Sequence, residues 1–475
     1  MDQKISTDIQ GLDEILQGGL IPDQSYLVKG GPGTGKSTLG YHFLQEGLGQ
    51  GEQVLYISLG EPKPNILNNA KKLNIDLSGA NFLDLSPTGD PTNNTLNYDV
   101  FPTSEVEHKP IVQSIIDAFK EHQPTRVVLD SITILSFLNK DPFQFRNFGL
   151  SFINYVCNNG ATLMIISESA DEVQTDPTFW VDGIINVSYA PEWRKIKVTK
   201  YRGTDFMHGT HSFRITGEGV KVFPRLHPDN YKHHFTDEIL SSGIDEIDQL
   251  LGGGIEKGTT TLVTGPSGVG KTNLGLQFFK EAASRNHRSA IYTFEESKEL
   301  ISKRSENINI PIQNMLKNGN LKICPVEPLS YSPDEFAQMV RQDVENNDTR
   351  MVMIDSIGGY GLAVREENKL ERLHSLVVYL QNMGVTTFLI NESQSVTGDF
   401  VPTNMNASYL ADNIIFLRYL ELDGELQKSI GVLKKRLSDF EKTIRKFTIS
   451  SDGISVGEPF HGLRGLLTGL PESAN

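Results

Sequence analysis

Short apolar runs recur along this chain, and between them lie longer segments whose apolar positions return at helical spacing. The runs at 26–28, 54–58, 82–85, 126–130 and 162–167 read as strands. So do those at 262–263, 290–294, 321–324, 350–355 and 385–391. Leu39, Phe43 and Leu44 place a helix after the first run, and Leu274, Phe278 and Phe279 place one after its later counterpart. Further helices are predicted over 65–73, 109–121 and 143–158, and over 298–307 and 366–382. Apolar strands alternating with amphipathic helices predict a mainly parallel sheet covered on both faces. The pattern then changes: runs such as 196–198 and 213–215 have no helix between them, which predicts antiparallel strands at one edge. Residues 86–104, rich in Pro, Asn, Thr and Asp, read as an exposed loop.

The same text is written twice. Residues 11–15 read GLDEI and 243–247 read GIDEI; glycines close both openings, at Gly18-Gly19 and Gly252-Gly253-Gly254. Lys36 recurs at Lys271, and Lys200-Tyr201-Arg202 recurs at Lys434-Lys435-Arg436, always about 234 residues on. That period is too long for a solenoid and fits a duplicated domain. The expected division is a first domain over 1–225, a linker over 226–240 and a second domain over 241–475. His233-His234 in that linker reads as solvated rather than as a metal site.

Composition is that of a soluble globular chain, 38% hydrophobic and 22% charged. The net charge of −15 argues against a dedicated nucleic-acid binder. Two cysteines, Cys157 and Cys324, make no CxxC pair and suit a reducing, cytoplasmic setting. The start shows no apolar leader, and no run has the length to span a membrane.

The chemistry sits where each first strand meets its helix. Residues 30–37 read GGPGTGKS and 265–272 read GPSGVGKT, both fitting the phosphate-binding P-loop. Glycines (Gly30, Gly33 and Gly35; Gly265, Gly268 and Gly270) let backbone N–H groups close on phosphate, with Thr34 and Val269 between them. Lys36 and Lys271 would reach the β- and γ-phosphates, and Ser37 and Thr272 would each offer a hydroxyl to Mg²⁺. Asp130 and Asp355, each ending an apolar strand, would hold that ion's shell at the sheet's C-terminal edge. Hydrolysis also needs a group to orient or deprotonate the nucleophile. TFEES offers Glu295 and Glu296 after the second strand of the second copy; LGEP offers only Glu61 in the first. These glutamates could equally favour a helix N-terminus. Lys200, Arg202, Lys434 and Arg436 lie late on strand-like segments, suited to a neighbouring subunit's γ-phosphate or merely to blunting an edge.

The duplicated P-loop domain, the GLDEI openings, TFEES and KYRGT resemble the KaiC family of circadian-clock ATPases and autokinases, over residues 5–465. The resemblance implies a RecA-like P-loop NTPase fold in each half, ATP and Mg²⁺ as ligands, and a double-ring homohexamer with ATP at subunit interfaces. It implies a slow ATPase in the N-terminal ring and an autokinase in the C-terminal one. Glu295 then matches the catalytic base, lying near Mg²⁺, with Glu296 as its partner. Lys200, Tyr201, Arg202 and Thr204 fall in the first nucleotide-binding stretch, and Lys434, Lys435, Arg436 and Ser438 in the second. Lys428 stands where the family has an arginine. Ser408 matches the phosphorylated serine, Thr403 a threonine that assists it, and Tyr409 replaces the usual phosphorylated threonine.

Three departures accompany this. A Tyr409 hydroxyl cannot take a threonine's geometry, so the two-site cycle is not expected to carry over intact. Gly60 stands where the first glutamate of the N-terminal half should be, so either Glu61 takes over or that half hydrolyses poorly. The chain ends soon after GLRGLLTGLPESAN, so a KaiA partner is not expected, while a KaiB-like partner on the N-terminal ring stays open. The leading expectation is a cytoplasmic Mg-ATP-dependent ATPase and Ser/Thr autokinase. Its alternatives are a DNA-dependent recombinase or helicase, and a non-catalytic hexameric nucleotide switch.

Overall fold

In the computed structural model, the residues described are 4–86, 108–138, 142–168, 177–190, 193–231, 238–327, 329–363, 369–393, 407–422, 424–468 and 471–473. The chain divides into two units, Met1–Arg225 and Leu226–Asn475. The expected loop beyond residue 86, His233-His234 and Thr403 lie outside the described residues.

The first unit runs α1 (Gln10–Ile15), β1 (Ser25–Gly30), α2 (Lys36–Gly49), β2 (Val54–Ser58), α3 (Lys63–Lys72), β3 (Asn81–Asp84), α4 (His108–His122) and β4 (Arg126–Asp130). It continues α5 (Ile132–Leu138), α6 (Pro142–Asn158), β5 (Thr162–Glu168), β6 (Gly183–Tyr189), β7 (Arg194–Tyr201), β8 (His211–Thr216) and β9 (Gly219–Phe223). Among the described residues its sheet has the order β3-β2-β4-β5-β1-β6-β7-β8-β9. The strands from β3 to β6 are parallel, and those beyond β6 antiparallel.

The second unit repeats the plan. After β10 (Ile239–Leu240), α7 (Asp245–Leu250) and β11 (Ile255–Glu256) come β12 (Thr260–Gly265), α8 (Lys271–Ser284), β13 (Arg288–Thr293), α9 (Lys298–Glu306), α10 (Ile312–Lys317) and β14 (Leu321–Pro325). Then follow α11 (Pro333–Asn347), β15 (Thr349–Asp355), α12 (Ile357–Ala363), α13 (Lys369–Asn382), β16 (Thr386–Glu392), β17 (Asn413–Leu422), β18 (Glu425–Lys435), β19 (Arg445–Ser450) and β20 (Gly453–Pro459). The order is β14-β13-β15-β16-β12-β17-β18-β19-β20. Each unit is thus a mainly parallel RecA-like sheet with an antiparallel edge.

Both faces of the central parallel strands are buried, which explains their unbroken apolar runs. Tyr26 and Val28 pack into one layer of the first unit and Leu27 into the other; Val263 and Leu262 divide likewise in the second. A charged group sits inside the first core. The Arg126 guanidinium, 1% exposed, donates to both Glu52 carboxylate oxygens at 2.8 and 2.9 Å and to the carbonyls of Ser6 and Phe43.

Two elements escape the periodicity argument. α5 (ITILSFL) has the composition of a strand, and α12 (IGGYGLA) is rich in glycine. Both are helical because they follow directly from an aspartate at a strand end, where packing overrides propensity. The stretch expected as a linker is partly built into the second unit. Leu226 packs on its core, Asn382 Nδ2 donates to the Pro228 carbonyl at 3.0 Å, and Tyr231 meets Tyr379 edge-on at 4.7 Å.

Candidate functional site

Each P-loop joins the central strand of its sheet to the following helix. The last glycine before each helix, Gly35 or Gly270, has a left-handed backbone (φ 101 and 117) that favours glycine. A Cβ there would press within 2.6 Å of Ile215 or 2.4 Å of Ile449, so each loop rests on its own antiparallel edge. Val269 is fully buried and serves the core. Lys36 and Lys271 are nearly buried beneath their loops, donating to the carbonyls of Gly31 and Pro266, each at 2.8 Å. Burial pulls both ammonium groups down in pKa; Glu168 and Asp130 oppose this for Lys36, and Glu392, Asp355 and Glu295 for Lys271. Thr34 closes the first loop on the Gly31 carbonyl.

Each strand after the P-loop helix lies beside the strand carrying the aspartate, so the expected oxygens converge. Ser37 Oγ donates to Asp130 Oδ2, and Thr272 Oγ1 to Asp355 Oδ2, both at 2.7 Å. In the second unit Ser356 Oγ also donates to Glu295 Oε1 at 2.6 Å, and Glu296 pairs with Arg304. These groups line one cleft with about 670 Å³ of empty space, partly open to solvent. Burial, with Glu296 and Glu295 adding to it, pushes the Asp355 carboxyl up to about 6, against the Thr272 hydroxyl and the Arg304 charge. The donors facing this cleft are hard oxygens crowded by negative charge, a set that suits Mg²⁺. No three acidic, His or Cys side chains form a complete cage among the described residues. A cation completed by waters and phosphate oxygens fits that arrangement.

The first unit differs at matching places. Leu59 N–H donates to the Asp130 carbonyl as Phe294 N–H donates to that of Asp355, both at 2.8 Å, so Gly60 stands where Glu295 does. Ser58 Oγ accepts from Glu61 N–H as Thr293 Oγ1 accepts from Glu296 N–H; Glu61 therefore corresponds to Glu296. Asn69, eight residues on, donates to Glu61 at 2.8 Å where Arg304 pairs with Glu296. A Cβ on Gly60 would meet Ile134 Cδ1 at 2.7 Å. The residue matching Ile134 in the second unit is Gly359, and Glu295 Oε1 lies 3.3 Å from where its Cβ would be. The large side chain has changed sides of one gap. Tyr56 adds a donor to Asp130 Oδ2 at 2.6 Å, where the second unit has Ile291.

The candidate cations separate into groups. Lys428 lies at its own P-loop, donating to the Gly268 carbonyl at 3.3 Å. Lys434 donates to Ala411 and Ser408 carbonyls at 2.6 and 3.3 Å; Arg436 pairs with Asp412 at 3.2 Å and reaches the Tyr409 carbonyl at 3.3 Å. Lys434 is level with Ile414, which is level with Leu262, three residues short of Gly265. It is thus about 10 Å along the sheet and two strands, about 10 Å, across from its own P-loop. Lys200 and Arg202 repeat this, bonded to the Thr178 carbonyl and Asp182 at 3.2 Å each.

Tyr201 and Lys435 are not with them: Tyr201 is buried and donates to the Gly19 carbonyl, while the Lys435 ammonium, fully buried, serves Leu251, Gly254 and Glu256. Both hold the glycine turns that open each unit. Ser438 donates to Glu256 at 2.8 Å, and Thr204 lies in the turn after β7. Ser408 is part-buried; Tyr409 is half-exposed beside His374.

Sequence reasoning passed over Glu168 and Glu392, which face the P-loop lysines. Their repeated setting, SES and NES at the ends of matching strands, was the available signal.

The model of the family described as "ATPase: KaiC" matches residues 5–227 and again 240–460. The circadian clock oscillator protein KaiC of Picosynechococcus sp. (strain ATCC 27264 / PCC 7002 / PR-6) is 28% identical, covering 99% of this chain and 92% of that protein. KaiC 1 and KaiC3 of Synechocystis sp. (strain ATCC 27184 / PCC 6803 / Kazusa) are 27% and 26% identical, each over 99% of this chain and over 92% and 94% of their own lengths. The chain belongs to the KaiC ATPase family. No helix among the described residues is long and apolar enough to cross a membrane.

Proposed function

We propose that this KaiC-family protein is a Mg-ATP-dependent ATPase and serine autokinase that works as a head-to-tail ring of subunits, a hexamer by likeness to its family. The observation that carries this reading is the split of one site across the sheet. Lys271, Thr272, Asp355 and Glu295 border the cleft, while Lys434, Arg436 and Ser408 are held out of its reach in the same chain. A neighbouring copy that supplies the second group to the first completes the machinery.

In this reading Lys271 and the P-loop amides hold the β- and γ-phosphates. Bound Mg²⁺, at Thr272 and Asp355, would neutralise charge on the phosphate oxygens. Glu295, oriented by the Ser356 hydroxyl, takes the proton from Ser408 Oγ of the adjoining subunit as that oxygen bonds to the γ-phosphorus. The bond to the β–γ bridging oxygen breaks and ADP leaves, while Lys434 and Arg436 offset the transferring charge. With water as the nucleophile the same cleft hydrolyses ATP. The first unit, with Gly60 in the base position, holds ATP with slow turnover and supports assembly. Tyr409, half-exposed and with its hydroxyl farther from the backbone, does not share the Ser408 geometry, so Ser408 is taken as the acceptor and the same mapping reads Tyr409 beside it.

Phosphopeptide mapping of purified protein after incubation with Mg-ATP tests this. Phosphate is expected on Ser408, absent in Lys271→Ala and in Glu295→Gln, with assembly unchanged in the latter. An unmodified Ser408 in protein that binds ATP would replace the autokinase by a plain ATPase or nucleotide switch.

A further inference from the structure

We propose that Arg304 is a cis-acting cation that contacts the terminal phosphate in the second cleft and so distinguishes a nucleoside triphosphate from a diphosphate. This rests on the reading of that cleft as an ATP site. Arg304 lies on α9, whose start is fixed by Ser297 Oγ accepting from Leu300 N–H at 3.2 Å. Two turns on, its side chain lines the cleft beside Glu295, Glu296 and Asp355. Its Nη1 pairs with Glu296. Its Nε and Nη2 are shielded from solvent and make no hydrogen bond within the protein.

A guanidinium with two buried, unmatched N–H groups calls for an acceptor, because such donors are costly to leave unpaired. The carboxylates around it leave this need unmet, since Glu296 takes Nη1 alone. A phosphate offers two oxygens at the spacing of a guanidinium fork, which a lysine cannot match. The position selects the outermost phosphate. Lys271 and the loop amides hold the β- and γ-phosphates from the P-loop side, while Glu295 and Asp355, which border Arg304, mark the opposite side, where the terminal group reacts. The first unit supplies an internal contrast: Asn69 stands at the same eight-residue spacing from Glu61, donates one hydrogen bond and carries no charge.

The test uses the full chain carrying Lys36→Ala, so that the second cleft alone is read. Calorimetry with Mg²⁺ measures the affinity for ADP and for a non-hydrolysable ATP analogue. Arg304→Asn, which copies Asn69, is expected to weaken analogue binding about tenfold or more and to leave ADP within about twofold. Arg304→Lys keeps the charge without the fork and should fall between. Equal loss for both nucleotides, in both variants, would assign Arg304 to holding Glu296 and overturn the proposal. So would analogue binding that neither variant changes. A Lys36→Ala parent that assembles as the wild type does, seen by light scattering, and yet binds neither nucleotide would remove the ATP reading of the cleft, and the arginine's role with it.

Discussion

If Gly60 and Ile134 together silence the first cleft, exchanging the pair should restore it. Gly60→Glu alone places a Cβ 2.7 Å from Ile134 Cδ1, well inside normal contact. Ile134 must turn its δ-methyl away before the new carboxylate can enter the space that Glu295 fills opposite Gly359. Gly60→Glu with Ile134→Gly opens that space, and Ser131 stands where Ser356 orients Glu295. The cost is the lost contacts of a partly buried isoleucine, about 1–2 kcal/mol. A glycine within α5 adds about 1 kcal/mol. Against a typical stability of about 5–15 kcal/mol the double variant remains folded. A positioned general base contributes about 10²–10⁴ in rate. Because Asn69 supplies no charge, the lower end, about 10²-fold or roughly 2.7 kcal/mol of barrier, is expected. The assay is steady-state ATP hydrolysis in a Lys271→Ala background, where only the first cleft turns over. A single Gly60→Glu variant that gains as much as the double would refute the steric argument. A double variant that binds ATP and gains nothing would falsify the catalytic meaning of the Glu295 position itself.

Subunit exchange offers a second check. Lys271→Ala protein mixed equally with Lys434→Ala/Arg436→Ala protein should recover about a quarter of wild-type turnover, because random neighbours match an intact cleft with intact cations at that frequency. No recovery at all would mean that the cations act within one chain. Lys435→Met should lower stability by about 3 kcal/mol, since it leaves Glu256 with the Ser438 hydroxyl and no counter-charge, while leaving nucleotide affinity within about twofold; an affinity loss at unchanged stability would return Lys435 to the binding site. The hydrogen bonds from Arg126 hold the Glu52 carboxyl below its usual 4.5. That depressed folded-state value makes the pair's stabilisation fully present above the unfolded value and lost as pH falls through the folded one. Urea midpoints measured down the acid limb should therefore fall less steeply for Glu52→Gln than for wild type, and equal slopes would dismiss the pair as a source of acid sensitivity.

The frame of each unit was readable because its evidence is local. A P-loop needs glycines and a lysine within one turn, and a buried strand ending in aspartate is visible as a string of letters. Glu295 and Asp355 followed from those positions. What stayed hidden depends on contacts between distant segments. Ile134 and Gly359 have meaning only against Gly60 and Glu295. Tyr56 looks like one more apolar strand residue until its hydroxyl meets Asp130. Lys428, Lys434 and Lys435 are close in sequence and go to a P-loop, a neighbouring turn and a buried cage. Strand periodicity tells which face a residue takes, not what waits on that face.

β18 carries Lys428 in its first half and Lys434 near its end, about 20 Å apart along a single hydrogen-bonded strand. In the proposed ring the first of these lysines touches the loop that would grip this subunit's nucleotide, and the second holds the charge that would be offered to the next subunit's. Such a strand is a wire with a terminal at each end, and a ring of these chains is a circuit in series. In such a ring the coupling is reciprocal: filling one cleft bears on the readiness of its neighbours on both sides, so full and empty clefts should be correlated around the ring rather than placed at random.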